Sequence, residues 1–167
     1  LVPMEIQVTE RAHRTLKAGL SYYTDEGIGA IFGWEHRNFF GAAEKLKADL
    51  SISSLKQSLD LNFGKPYFMR QDQTLSLSSS LTRQDTDAYN ELGIKSGIAL
   101  SRNFNKHLTA STGLEFSLTR IDDNTDNSSS TFGLLSAPQT ITYDTRDDKL
   151  DPHKGWNLSA EAEPFFD

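Results

Sequence analysis

The chain has 167 residues, enough for one domain of ordinary size, but only 37% of them are hydrophobic and the mean hydropathy is -0.51, low for a protein that must fill a large dry interior. A net charge of -6 argues against a general nucleic-acid binder, and the absence of cysteine excludes disulfides and thiolate metal sites without naming a compartment. No uncharged apolar run approaches the roughly 18 residues of a membrane-spanning helix. The N-terminus lacks a basic segment followed by an apolar core, so no signal peptide is expected in this stretch, and an exported protein would carry its signal upstream.

Period-2 alternation recurs along the chain in runs of a length suited to strands, separated by polar or glycine-containing breaks. In residues 14–24, Leu16, Ala18, Leu20 and Tyr22 fall on one face and Lys17, Gly19, Ser21 and Tyr23 on the other. After Asp25-Glu26-Gly27, Ile28, Ala30, Phe32 and Trp34 oppose Gly29, Gly33 and Glu35. A third run sets Leu46, Ala48, Leu50 and Ile52 against Lys47, Asp49, Ser51 and Ser53, and a fourth sets Leu59, Leu61 and Phe63 against Ser58, Asp60 and Asn62. Leu75, Leu77 and Leu81 mark the fifth strand, and Ile94, Ile98 and Leu100 the sixth, opposite Gly93, Lys95, Gly97 and Ala99. The seventh places Leu108, Ala110, Leu114, Phe116 and Leu118 against Thr109, Ser111, Gly113, Glu115 and Ser117. An eighth is expected from about Gln139 to Arg146, and a ninth carries Trp156, Leu158, Ala160 and Ala162 against Asn157, Ser159, Glu161 and Glu163.

Alternation alone does not separate a soluble meander or lipocalin from a membrane barrel, whose apolar face points outward. Length and aromatic placement favour the barrel: strands of about 9 to 11 residues suit a tilted crossing of the hydrocarbon layer. Aromatics gather at alternate turns, with Trp34, Phe39 and Phe40, then Tyr67 and Phe68, then Phe104, then Trp156. In a meander these turns share one end. The other turns are polar and acidic: residues 25–27, 53–57, 84–90 and 122–130. Two chemically different ends suit an asymmetric membrane. The fold class expected is all-β, an antiparallel up-and-down transmembrane barrel.

Candidate chemical sites are few. Asp122-Asp123-Asn124-Thr125-Asp126 begins like a calcium loop, but Asn127 stands where glycine is required and Gly133 where glutamate is required, so a polar extracellular loop is expected. His13, His36, His107 and His153 share no metal-ligand spacing. No phosphate loop, nucleophile elbow or zinc helix motif occurs. The expectation is therefore no enzyme, no metal and no cofactor. The densest cluster of charge is the stretch YDTRDDKLDPHKGW, residues 143–156.

Several motifs carry a resemblance. Trp34-Glu35-His36-Arg37-Asn38-Phe39-Phe40-Gly41, followed by Glu44, is similar to the W-x-x-R-N-L-F-G turn of the BamA/TamA outer-membrane assembly superfamily, the family of bacterial surface antigen barrels. Lys65-Pro66-Tyr67-Phe68 resembles its P-x-F turn, and residues 69–75 resemble the TamA-like branch. Tyr143-Asp144-Thr145-Arg146-Asp147-Asp148 with Pro152 and Gly155 resembles its D-x-R-D … P-x-x-G signature. Val2 to Arg11 is similar to the last strand of a periplasmic POTRA domain, which makes residues 1–13 a lead-in and 14–167 the N-terminal part of the barrel.

The resemblance implies a parent barrel of roughly sixteen strands, of which about nine are present. It implies a bacterial outer-membrane location, contact with membrane lipid, client outer-membrane proteins or autotransporters as substrates, and a possible inner-membrane-anchored periplasmic partner. In the family the first strand offers its edge to an incoming client strand, which here implicates Arg14, Leu16, Ala18, Gly19, Leu20 and Tyr22. Asp144, Arg146, Asp147, Pro152 and Gly155 become a structural network in which Arg146 bridges two carboxylates, and Trp34, Arg37, Asn38, Gly41, Pro66 and Phe68 become turn-forming residues. The alternatives are a two-partner secretion pore or a passive porin. Strand parity forbids antiparallel closure of strand one on strand nine, which leaves an open sheet with two bare edges, an eight-stranded closure with one terminal strand unpaired, or pairing with another chain; the expectation is that residues 14–24 or 155–164 pair with a second chain.

Overall fold

The structure, a computed structural model, describes residues 12–24, 27–126 and 128–167. Most of the expected 1–13 lead-in, and Asp25 and Glu26 of the first turn, lie outside the described residues. Among the described residues eleven strands form one sheet: β1 (Arg14–Tyr23), β2 (Gly27–Arg37), β3 (Lys45–Ser53), β4 (Lys56–Pro66), β5 (Gln73–Asp85), β6 (Tyr89–Asn103), β7 (Leu108–Asp123), β8 (Ser129–Ser136), β9 (Gln139–Asp144), β10 (Asn157–Ala162) and β11 (Phe165–Phe166). Each pairs antiparallel with its neighbour in the order β1 to β7.

Beyond β7 the sheet is assembled from half-strands. The outer half of β7 pairs with β8 and its inner half with β9, while β10 continues the ladder on β9 and β11 on β8. Thus β8 with β9, and β10 with β11, each fill one position, giving nine positions in all. The two breaks lie side by side at Ala137-Pro138 and Glu163-Pro164. Proline lacks the N–H a ladder needs, yet its carbonyl still accepts. Gly113 N–H donates to Pro138 O at 2.9 Å, and Ala137 N–H to Pro164 O at 2.9 Å. The result is a crease across adjacent strands at Gly113, Pro138 and Pro164 with no residue inserted.

This corrects the sequence reading of residues 124–138. The polar loop expected over 122–130 is shorter, and β8 begins at Ser129. Its alternation is hidden because Phe132 and Leu134 register with Thr119 and Ser117 on the polar face, while Leu135 pairs with Phe116 on the apolar one.

Register aligns the two faces across the sheet. One row runs Ala18, Phe32, Leu50, Leu59, Leu81, Ile94 and Leu118, and the adjacent row on the opposite face runs Lys17, Gly33, Asp49, Asp60, Ser80, Lys95 and Ser117. Among the described residues no hydrophobic side chain is buried: Leu16, Phe32, Leu81 and Leu114 are all exposed. A soluble sandwich would press this face against a second layer. Here the sheet is a single layer whose apolar side must meet something other than water.

Candidate functional site: the first strand and the turns that brace the sheet

Both ends of the sheet are free edges among the described residues: β1 pairs only with β2, and β10 and β11 pair only with β9 and β8. On β1, Leu16 and Leu20 stand out from the apolar face at 81% and 87% exposure, and Tyr22 is likewise exposed. Ala18 and Gly19 lie mid-strand opposite Phe32 and Ile31. A Cβ built on Gly19 would meet nothing within 4 Å. Glycine there meets no steric demand from the sheet, and it makes the edge strand more flexible than an alanine would.

The base of this strand is tied to β2 on the polar face. Arg37 Nε donates to Glu35 Oε1 at 2.7 Å and its Nη2 to Thr15 Oγ1 at 3.1 Å, while Arg37 N–H donates to His13 O at 2.7 Å. Arg14 registers with His36, whose ring stacks on that of His13 at 6.4 Å.

The β2–β3 turn holds three residues with left-handed backbone: Asn38 (φ 70°) and Gly41 (φ 97°), which accept it readily, and Ala43 (φ 61°), which does so at a cost. Asn38 Oδ1 accepts from Ala43 N–H at 2.8 Å, and the Glu44 carbonyl accepts from Asn38 N–H and Phe39 N–H. Glu44, 2% exposed, accepts from Ala42 N–H at 2.9 Å, with Lys65 Nζ at 3.6 Å. The Ala42 N–H first of all, with the Lys65 charge among lesser causes, holds its carboxyl below the usual range. An aromatic chain covers the turn: Trp34 to Phe39 at 6.3 Å, Phe39 to Phe40 at 4.7 Å, Phe40 to Phe63 at 6.0 Å. Pro66 closes β4, and Phe68 N–H donates to Gln73 O at 3.2 Å across the next turn.

In the turn after β9, Arg146 grips Asp144 with a fork, Nε to Oδ1 at 3.0 Å and Nη2 to Oδ2 at 2.8 Å. The bridge to two carboxylates expected from the sequence is replaced by this single bidentate pair. Asp147 is occupied by backbone instead: its Oδ1 accepts from Asp148, His153 and Lys154 N–H at 3.0 Å each. Those amides, that of Lys154 foremost, lower the Asp147 pKa, and the amides of Leu150 and Asp151 lower that of Asp148. The Asp144 side chain raises that of Arg146. Pro152 is exposed within this loop, and Gly155 has φ 89° at a place where a Cβ would run into the carbonyl of Thr145. His107 Nδ1 lies 2.8 Å from Asp144 O, linking this turn to the one before β7.

Sequence reasoning missed the pairing of Asp72 with Arg102, whose Nε donates to it at 2.7 Å, and the placing of that guanidinium 4.7 Å over the Phe104 ring. No local spacing signals a pair 30 residues apart. Among the described residues no group of three or more His, Cys, Asp or Glu side chains could hold a metal ion.

Three comparisons bear on this arrangement. Residues 38–166 match the model of the Omp85 superfamily domain. The crystal structure of BamA from Haemophilus ducreyi lacking POTRA domains 1–3 is similar at a TM-score of 0.69 and 16% identity, covering 93% of this chain and 35% of that one. The chain therefore spans about a third of the length of that structure. No curated protein matches it.

Proposed function

Because the chain belongs to the Omp85 superfamily, whose members are bacterial outer-membrane β-barrel proteins, we propose that it forms the N-terminal part of a larger barrel that inserts or translocates client outer-membrane proteins, with β1 as the pairing edge. The observation that carries this reading is the free edge of β1. Among the described residues β1 pairs only with β2, its apolar residues Leu16, Leu20 and Tyr22 are exposed, and a Cβ on Gly19 would meet nothing within 4 Å. Such an edge is a template for another strand. The turn motifs support the TamA-like branch, and with it autotransporter clients and an inner-membrane-anchored periplasmic partner. The chain itself carries out no chemical reaction on this reading. Arg37, Asn38, Gly41, Glu44 and the Asp144–Arg146 fork act as braces that hold the periplasmic ends of the strands while the edge stays free.

The test is site-specific disulfide formation in cells between single cysteines on β1, at Lys17 and Ser21, and cysteines along the C-terminal strand of a co-expressed client barrel. The expected result is a ladder of cross-links in antiparallel register. Cross-links confined to the barrel's own last strand, under all client loads, would refute client pairing. The second reading, a secretion pore or porin, rests on the charged face that would line a lumen, with Lys47, Asp49, Lys95 and Glu115. It predicts a large steady conductance in planar bilayers that β1 cross-linking leaves unchanged.

A further inference from the structure

On the apolar face, below the crease, the sheet is hollowed into an open groove of about 540 Å³. Its walls are Leu100 and Ile141, and its floor is made of small side chains, Ala110, Thr112, Ala160 and Ala162. Elsewhere the same face carries large residues in register, such as Phe63, Leu77, Ile98 and Leu114. The groove falls in the size range of small-molecule sites. One end carries polar side chains, Arg102 and Gln73, beside Phe104.

Arg102 is set in place there. Asp72 holds its Nε, its guanidinium carbon lies 4.7 Å from the centre of the Phe104 ring, and the side chain stays one-third exposed. Arg70 and Lys106 stand in the two adjoining turns, while Asp72 at this end and Glu161 along the groove are the carboxylates beside it. Arg102 is the cation that lines the groove itself, in a chain that is acidic overall.

The depth of Arg102 in the membrane follows from register. At the other end of the apolar band Arg83 and Arg120 flank Leu92, the three in one row on the same face. Leu92 and Arg102 are ten residues apart on β6. At about 3.4 Å per residue and a strand tilt near 40–45°, these positions are separated by roughly 25 Å along the membrane normal, the height of the apolar band of an outer-membrane barrel. Arg102 thus lies at headgroup level, at the end where β1 begins, which the reading above makes periplasmic. The leaflet on that side is built of glycerophospholipids.

We propose that this groove is a seat for one anionic glycerophospholipid of the periplasmic leaflet, its phosphate on the terminal nitrogens of Arg102 and one acyl chain along the small-residue floor. A guanidinium held by a carboxylate and an aromatic ring has lost its rotamer freedom before binding, which lowers the entropic cost of gripping a phosphate. The floor of alanines leaves room for a chain to lie flat. The proposal rests on the outer-membrane reading and is independent of client pairing.

The experiment is native mass spectrometry of the whole barrel protein containing this chain, released from a mild detergent after equilibration with phosphatidylglycerol or phosphatidylcholine. The variants are Arg102→Gln, Ala160→Phe to fill the groove, and Arg83→Gln at the opposite rim as control. Unmodified protein should retain one phosphatidylglycerol at least five-fold above phosphatidylcholine. Arg102→Gln and Ala160→Phe should each lower that retention at least five-fold, and Arg83→Gln should not. Retention unchanged in Ala160→Phe, equal retention of the two lipids, or an equal loss in Arg83→Gln would each overturn the seat. Ala160→Phe leaves Arg102 and its partners intact, so a folding defect in one variant does not excuse the other. Membrane orientation is measured separately, by labelling cysteines at Leu50 and Asp49, so a failed seat is distinguishable from a failed membrane reading.

Discussion

A graded series of glycine substitutions tests the account of the turns most directly. Gly64 lies within β4, and a Cβ there would meet nothing within 4 Å. Gly64→Ala adds no clash and removes the entropic penalty of glycine in a strand, so it should stabilise the barrel by about 0.5–1 kcal/mol. Gly41 also has open space, but its φ is 97°. Gly41→Ala therefore pays for left-handed backbone alone, about 1–2 kcal/mol. Gly155 combines φ 89° with a closed environment: a Cβ would run into the carbonyl carbon of Thr145 at 2.6 Å and the Cα of Arg146 at 2.9 Å.

Those are backbone atoms, fixed by the Thr145–Trp156 hydrogen bonds, and they do not move as a flexible side chain would. Gly155→Ala should thus add an overpacking cost of about 1–3 kcal/mol to the same backbone term. The order of stability expected is Gly64→Ala above the parent, then Gly41→Ala, then Gly155→Ala. The assay is urea unfolding of the complete barrel protein in lipid vesicles, followed by gel mobility and tryptophan fluorescence. If Gly155→Ala unfolds within about 0.5 kcal/mol of Gly41→Ala, the steric part of the reasoning is wrong.

Further expectations concern the faces, the fork and the buried carboxylate. Cysteines at Leu50 and Asp49 in the membrane-embedded barrel should label oppositely, the first with a lipid-soluble reagent and the second with a charged one; equal labelling of both would count against the barrel. Leu50→Arg should cost about 2–4 kcal/mol if that position is near the bilayer midplane, as measured by the same urea titration, whereas Ser51→Arg on the other face should be nearly neutral. Arg146→Ala, by stripping the Asp144 carboxylate of its bidentate partner, should lower the temperature of the heat-induced gel-mobility shift, and an unchanged temperature would refute a bracing role. Glu44 has its folded pKa depressed below the ordinary 4.5, so its contribution is complete above that value and lost as pH falls through the depressed one. Acid titration followed by Trp34 fluorescence should show a transition below pH 4.5 that weakens in Glu44→Gln.

Much of this molecule is written along the chain. Alternation with period 2 is a local property, so Leu16, Ala18, Leu20 and Tyr22, or Leu46 to Ile52, announce both their strand and their face without reference to any partner. The turn residues are equally local: Asn38, Gly41 and Gly155 stand where the backbone turns left-handed, which β-branched residues would resist. The order from β1 to β7 followed from these signals because antiparallel neighbours are joined by short turns.

Tertiary structure decided what depends on register between distant residues. Phe132 and Leu134 face the polar side because β7 fixes their position, so β8 has no clean alternation to read. Pro138 and Pro164 become a crease only because pairing places them side by side. Arg146 faced several acidic neighbours in the sequence, and geometry gave it Asp144 while the backbone amides of the loop claimed Asp147. Arg102 found Asp72 thirty residues away because the β5–β6 register brings the turn before β5 against the end of β6. A period along one strand says which way a side chain points, but only the hydrogen-bonded ladder between strands says what it meets there.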